Sequence, residues 1–145
     1  MSWRGCGRCS PRWSREGSTV HETSKTIQLW GRQELAIVER GRGLDIGAGD
    51  DPLPWAAVRF DRAHGDAEHL TRHIHEQFDW VYSSHCLEHM DDPRSALREW
   101  WSVVRPGGHL IAIVADEDLY EQGYWPSRIT DDHKHTFSIR KARSW

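Results

Sequence analysis

The feature that most constrains this chain is a succession of four short apolar runs, each ending on a glycine or polar residue and separated by turn- or helix-compatible stretches. Gly43-Leu-Asp-Ile46 runs into Gly47-Ala-Gly49, and Trp55–Asp61 places Val58 and Phe60 on one side before closing on an acid. Phe78-Asp-Trp-Val-Tyr82 runs into Ser83-Ser-His85, and His109–Ala115 carries Leu-Ile-Ala-Ile-Val before Asp116. Apolar runs of this length suit strands covered on both faces. Strands alternating with helices define an α/β class with a largely parallel sheet.

Between the runs lie the helical signals. Ile27, Trp30, Leu35 and Val38 recur at helical spacing across Thr23–Arg40, with Thr23 or Ser24 as N-cap and Gly41 as the stop. Leu70 and Ile74 lie one turn apart in Glu68–Gln77, which predicts a short helix. Asp92-Pro93 reads as an N-cap followed by proline at the first helical position. Leu97, Trp101 and Val104 then form an apolar face, and Arg105-Pro-Gly-Gly108 ends that helix.

The 145 residues predict one domain. Residues 1–20 mix Arg, Ser, Gly and Pro without a hydrophobic period and read as a disordered basic arm, so the folded domain is expected over 21–145. Cys6 and Cys9 have half of a zinc-site spacing, with no second pair at finger-like distance. Nineteen Lys and Arg against 22 Asp and Glu leave a net charge of −3, without the basic field of a nucleic-acid binder. A small-molecule substrate is therefore the expectation. No apolar run approaches the roughly 18 residues of a membrane span, and no apolar stretch follows the N-terminal arginines as in a secretory signal. A cytoplasmic protein is expected.

Ligands of an open parallel sheet sit at the carboxyl ends of its strands. Gly47, Gly49, Asp61, His85 and Asp116 all fall at such ends. A pyrophosphate would need a third glycine and a helix N-terminus, but Pro52 stands at that place and 50–54 is too short for a helix. A nucleoside cofactor without phosphates needs only close backbone approach and an acceptor for its ribose hydroxyls.

Leu44-Asp-Ile-Gly-Ala-Gly49, Gly65-Asp-Ala67, Phe78–His89 with Asp92-Pro93, and Arg105-Pro-Gly-Gly-His-Leu110 resemble the successive motifs of class I S-adenosylmethionine-dependent methyltransferases. The likeness covers 43–116 and extends more loosely to about 139. It implies a Rossmann-like fold, S-adenosyl-L-methionine as cofactor, and methyl transfer to an oxygen, nitrogen or carbon nucleophile of a small molecule or glycan precursor. Asp45, Gly47 and Gly49 would line the methionine and ribose parts, and Asp61 would accept from both ribose hydroxyls. Asp66 and Ala67 would meet the adenine, while Ser84, His85 and Leu87 would pass beneath the sulfonium. Glu88 and His89 would anchor the loop after the following strand.

If the acceptor must lose a proton, His85 is the first candidate base and His133 the second, since a neutral imidazole accepts protons near pH 7. His133 and His135, with Asp116, Asp131 and Asp132, also suggest a metal site, a weaker reading because ten histidines make chance pairs common. Trp100-Trp101 reads as helix packing. Eleven residues separate Gly49 from Asp61 and four separate Asp61 from Asp66, so the crossover helices are expected to be shortened or absent, or a strand missing. The resemblance also implies a closing antiparallel strand pair, here expected to be lacking, and a sheet edge covered by a second copy or another partner. A truncated, catalytically silent binding module is the alternative reading.

Overall fold

The computed structural model describes residues 21–142; the arm with Cys6 and Cys9 lies outside them. The elements are α1 (Glu22–Leu29), α2 (Arg32–Val38), β1 (Gly43–Ile46), β2 (Val58–Phe60), β3 (Phe78–Ser84), α3 (Pro93–Ser102) and β4 (Val104–Ile113). The four strands form one sheet in the order β2-β1-β3-β4, with every pairing parallel. The chain leaves β1 for β2 on one side and returns to β3 on the other, so strand order reverses between the carboxyl ends of β1 and β3. Crevices for ligands open at such reversals.

Alternation along the strands builds two cores. Leu44, Ile46, Phe60 and Val81 face α3 and a 3-10 turn at Ala67–Arg72, burying Leu70, Ala96 and Trp100. Trp80 and Tyr82 face α1 and α2 on the other side, packed by Ile27, Trp30, Ile37 and Val38. All four residues of β1 are buried, as a strand covered on both faces requires. Trp100 seals the first layer and donates its indole N–H to Ala67 O at 2.8 Å, whereas Trp101 is 57% exposed. Only the first member of the tandem packs.

Four local expectations are corrected. The single helix over Thr23–Arg40 is two, because the chain turns extended at Trp30 and Gly31 restarts it, its N–H donating to Glu34 Oε2 at 2.9 Å. The stretch Glu68–Gln77 is a 3-10 turn ending at Arg72. The second strand is only Val58–Phe60. Arg105-Pro-Gly-Gly108 lies within β4, where the register against β3 shifts between Phe78 and Trp80. The shortened crossovers are present as expected: no helix lies between β1 and β2. Residues 139–142 hold no helix, and 143–145 lie outside the description. Among the described residues no helix is long and apolar enough to cross a membrane.

Gly43 pairs with Trp80, and a Cβ at Gly43 would stand 2.0 Å from the indole. Trp80 is fixed by its N–H bond to Arg40 O at 3.0 Å. Gly43→Ala therefore overpacks the second core and costs about 3 kcal/mol. Urea denaturation measures it, and an unchanged midpoint would show that the indole can swing aside.

Candidate active site

The loop after β1 is held by β2. The N–H groups of Gly47 and Ala48 both donate to Phe60 O, at 2.8 and 3.3 Å. Gly47 has φ +76°, and a Cβ there would meet the Cys86 Cβ at 2.8 Å, so this glycine lets the loop approach the exit of β3. Gly49 has φ +48° and the opposite surroundings: a Cβ would come no nearer than 3.9 Å to Gly47 O and 4.0 Å to Asp61 Oδ2. A side chain at 49 would therefore meet no clash and would start in ordinary contact with the Asp61 carboxylate.

Asp61 closes β2 and turns back on that loop. Its Oδ2 accepts from Gly49 N at 2.9 Å and its Oδ1 from Arg62 N at 2.6 Å, while its own N–H donates to His64 Nδ1 at 3.0 Å. A carboxylate has about four acceptor positions. Two stay available for hydroxyl donors. The open cradle at Gly49 beside this oriented carboxylate fits a nucleoside.

Asp45 has a different surrounding. It is buried, and its Oδ2 accepts from Leu53 N at 2.7 Å, which ties the 50–54 loop to β1. Burial lifts its pKa to about 7, with the Leu53 bond and the charge of Arg59 opposing and the charges of Asp61 and Asp51 adding to the rise. Asp51 supplies a cap to α1 from this loop, its carboxylate accepting from Ser24 N at 2.8 Å and Ser24 Oγ at 2.5 Å. The helix's own N-cap position, His21, makes no side-chain cap bond.

At the end of β3, His85 adopts φ +49° and its N–H donates to Ile113 O at 3.0 Å. Its Nδ1 lies 3.3 Å from Glu88 Oε1 and its Nε2 4.0 Å from Glu22 Oε2. Burial disfavours the imidazolium, but the Glu88 hydrogen bond and charge, together with Glu22, outweigh burial and raise the His85 pKa above 6.5. Glu88 is fully buried; desolvation works against its ionisation, yet the bond and charge of His85 hold its pKa below 4.5.

Glu88 also clamps the chain that follows β4. Its Oε1 accepts from Ala115 N at 3.2 Å, and its backbone carbonyl accepts from Lys134 N and His135 N at 2.9 and 3.2 Å. The His89 Nδ1 contacts Asp132 O at 3.1 Å. Within the clamped segment, Asp116 Oδ1 caps its own turn through the N–H groups of Asp118 and Leu119, and Asp116 bridges to Phe137. His133 Nδ1 lies 2.5 Å from Glu121 Oε1, with both side chains nearly sealed. His135 turns instead to Asp91 O at 3.2 Å. The two histidines of the metal reading thus part company, and among the described residues no three His, Cys, Asp or Glu side chains converge to hold an ion.

Asp66 caps the 3-10 turn, its Oδ1 accepting from Glu68 N at 3.0 Å. Ala67 and Leu87 lie in the first core. Ser84 ends β3 directly before His85, against Ile113 of β4. Sequence reasoning missed Glu22, Asp51, Tyr120 and Glu121. The Asp50-Asp51 pair carried a usable signal, since an acid beside the start of a helix satisfies its free N–H groups.

A parallel sheet that reverses order at β1 and β3, with a glycine loop facing a strand-end carboxylate, is the Rossmann-like arrangement that class I S-adenosylmethionine-dependent methyltransferases share with other nucleotide binders. The family model for the methyltransferase domain matches residues 33–112, more than half of the chain, and the chain belongs to that family. It is also similar to the ubiquinone biosynthesis O-methyltransferases of Pseudomonas fluorescens strains Pf0-1 and Pf-5, each 34% identical over 86 residues. The alignments take in 52% of this chain and 36% of each relative, so the chain spans about a third of the length of the curated relatives it matches.

Proposed function

We propose that the chain binds S-adenosyl-L-methionine and moves its methyl group to a hydroxyl oxygen of a small molecule. The observation that carries the binding half is the open cradle at Gly49, faced by an Asp61 carboxylate with acceptor capacity to spare. The bound cofactor would supply an activated methyl on a sulfonium. Gly47 and Gly49 would give it backbone access, Asp61 would take the ribose hydroxyls, and Asp45 would steady the loop beneath. Asp66 and Ala67 would border the adenine, with Ser84, His85 and Leu87 below the sulfonium.

The likeness to O-methyltransferases favours oxygen as nucleophile. Positioning acceptor and methyl in line can supply about 7–11 kcal/mol of the barrier reduction. Of the two candidate bases, His133 is the better placed. Burial opposes the imidazolium of His85, but the Glu88 bond and charge, with Glu22, favour it, and this weakens His85 as a proton acceptor.

Calorimetry with S-adenosylmethionine and S-adenosylhomocysteine tests the binding, and incorporation of isotope-labelled methyl into pooled metabolites tests the transfer. Binding of both cofactor forms and labelling of a hydroxyl are the expected results. No binding to the full chain would sink the proposal in favour of a silent module.

A further inference from the structure

β4 ends the sheet, and among the described residues no strand lies beside its outer edge. Ile113 O accepts from His85 N, so His109, Ile111 and Ile113 turn their main-chain groups to β3. Alternation turns those of Leu110 and Ala112 outward, into the open edge. Edges of this kind are normally blunted by charge, proline or a bulge. The amino-terminal half of β4 has all three, in Arg105, Pro106 and the register shift between Phe78 and Trp80. His109–Ile113 has no Lys, Arg, Asp, Glu or Pro, and there Ala112 is exposed while Leu110, Ile111 and Ile113 are half-buried. The protection stops where the apolar stretch begins.

The flank above this edge carries a second observation. Trp101, the member of the tandem that the core leaves out, is 57% exposed. Glu99 accepts from Thr71 N and Oγ1 at 3.0 and 2.5 Å, so its side of α3 faces the 3-10 turn at Ala67–Arg72. At about 100° per residue, Leu97 and Trp101, two positions to either side of Glu99, point the opposite way. α3 touches both that turn and β4, which makes this the flank toward the open edge. Leu97 and Leu110 are both partly buried against the first core. Apolar surface therefore continues from Trp101 down to the unpaired strand.

We propose that His109–Ile113 is the seam of a twofold homodimer, in which β4 of one copy pairs antiparallel with β4 of the other around Ile111. Opposed residues of an antiparallel pair alternate between exchanging both N–H···O bonds and exchanging none. Leu110 and Ala112 carry the outward groups, so Leu110 of one copy bonds Ala112 of the other, large against small, and Ile111 faces its own mate without bonds. Centring on Ile111 pairs the whole unblunted stretch with itself; centring on Leu110 would draw Gly107 and Gly108 into the pairing. No two like charges meet. Such an interface closes on itself, which confines an unblunted edge to two copies instead of a growing fibre. The seam stands or falls independently of the methyl-transfer reading.

The test is the mass of the full chain by light scattering at about 50 μM, since a dimer is defined only at a stated concentration. The wild type should have twice the monomer mass. Ala112→Pro removes an outward N–H without touching the bonds to β3, and Ala112→Lys sets a charge in the seam; both should be monomers. Should the proline variant fail to fold, the lysine variant carries the comparison. Arg62→Glu, beyond β2 at the other end of the sheet, should stay dimeric. Disulfide trapping in a Cys6→Ser, Cys9→Ser background reads the register. Ile111→Cys should cross-link on mild oxidation, because unbonded mates sit about 4.5 Å apart at Cα, within the disulfide range of about 4.4–6.8 Å. Ala112→Cys, opposite Leu110, should not. A wild type that is monomeric, or that grows beyond two copies, would overturn the seam. So would a dimer that survives both Ala112 substitutions, one in which Ile111→Cys stays unlinked, or cross-linking of Ala112→Cys as fast as that of Ile111→Cys.

Discussion

Asp61→Ala weakens S-adenosylhomocysteine binding about 100-fold. Hydrogen bonds to a charged acceptor contribute about 1.5–3 kcal/mol each, and 1.4 kcal/mol is tenfold in affinity. Two ribose hydroxyls on one carboxylate therefore account for a loss of about 3 kcal/mol, at the lower end of that range. The substitution also deprives Gly49 N and Arg62 N of their acceptor, so the loop that would receive the nucleoside loosens. Asp61→Asn keeps the shape but exchanges the charge and one acceptor oxygen for a donor, and falls between the two, about tenfold weaker. Calorimetry on the three proteins decides it. Equal affinities would place the ribose elsewhere in the crevice.

Glu88→Ala destabilises the fold by about 3–5 kcal/mol, the usual cost of removing one partner from a buried charge pair. That is a large part of the 5–15 kcal/mol that holds a typical domain together. The pair also sets a pH signature. Glu88, depressed below 4.5, contributes stability present above 4.5 and lost as pH falls through its folded value. His85, raised above 6.5, contributes stability present below 6.5 and lost as pH rises through its folded value. The pair is therefore most stabilising between 4.5 and 6.5. Asp45 adds a decline of its own as pH rises from 3.8 to about 7, so the wild-type profile alone does not isolate the pair. Glu88→Gln does. Urea midpoints across pH 4–9 should lose the alkaline decline assigned to His85 while keeping that of Asp45. An alkaline decline of unchanged size would mean that His85 owes its shift to another neighbour.

The sheet was legible because burial on both faces leaves a plain mark. β1 and the core of β3 are short apolar runs with hard stops, and their limits were readable to within two residues. The N-terminus of α3 was equally plain, because the Asp92 carboxylate accepts from Arg94 N and Ser95 N as its N-cap position implies. What failed were signals with two physical readings. Arg105-Pro-Gly-Gly108 stops a helix, but its last glycine also lets β4 pass close to β3: a Cβ at Gly108 would stand 2.6 Å from Asp79 O. The stretch 68–77 has helical spacing at only one pair of positions, and tertiary demands shortened it. Gly47, Gly49 and Asp61 were readable as a cluster because all three sit at strand ends. Glu121 was not. It meets His133 across a loop with no periodicity, and only three-dimensional folding brings that carboxylate under that ring.

The clamp at Glu88 and His89 has one further consequence. The hydrogen bonds that hold the 115–135 segment to this pair fall on main-chain atoms, Ala115 N, Lys134 N, His135 N and Asp132 O, with the Asp132 carboxylate also 3.6 Å from the His89 Nδ1. Main-chain partners are the same whatever side chains the segment carries. The exposed side chains of this stretch, Leu119 and Tyr124 among them, can therefore be exchanged while those bonds persist, whereas Asp116, Glu117 and Glu121 are tied into the packing of the loop itself. Exposed positions of this loop can thus vary without disturbing the bonds that seat it, while Gly47, Gly49 and Asp61 keep their own.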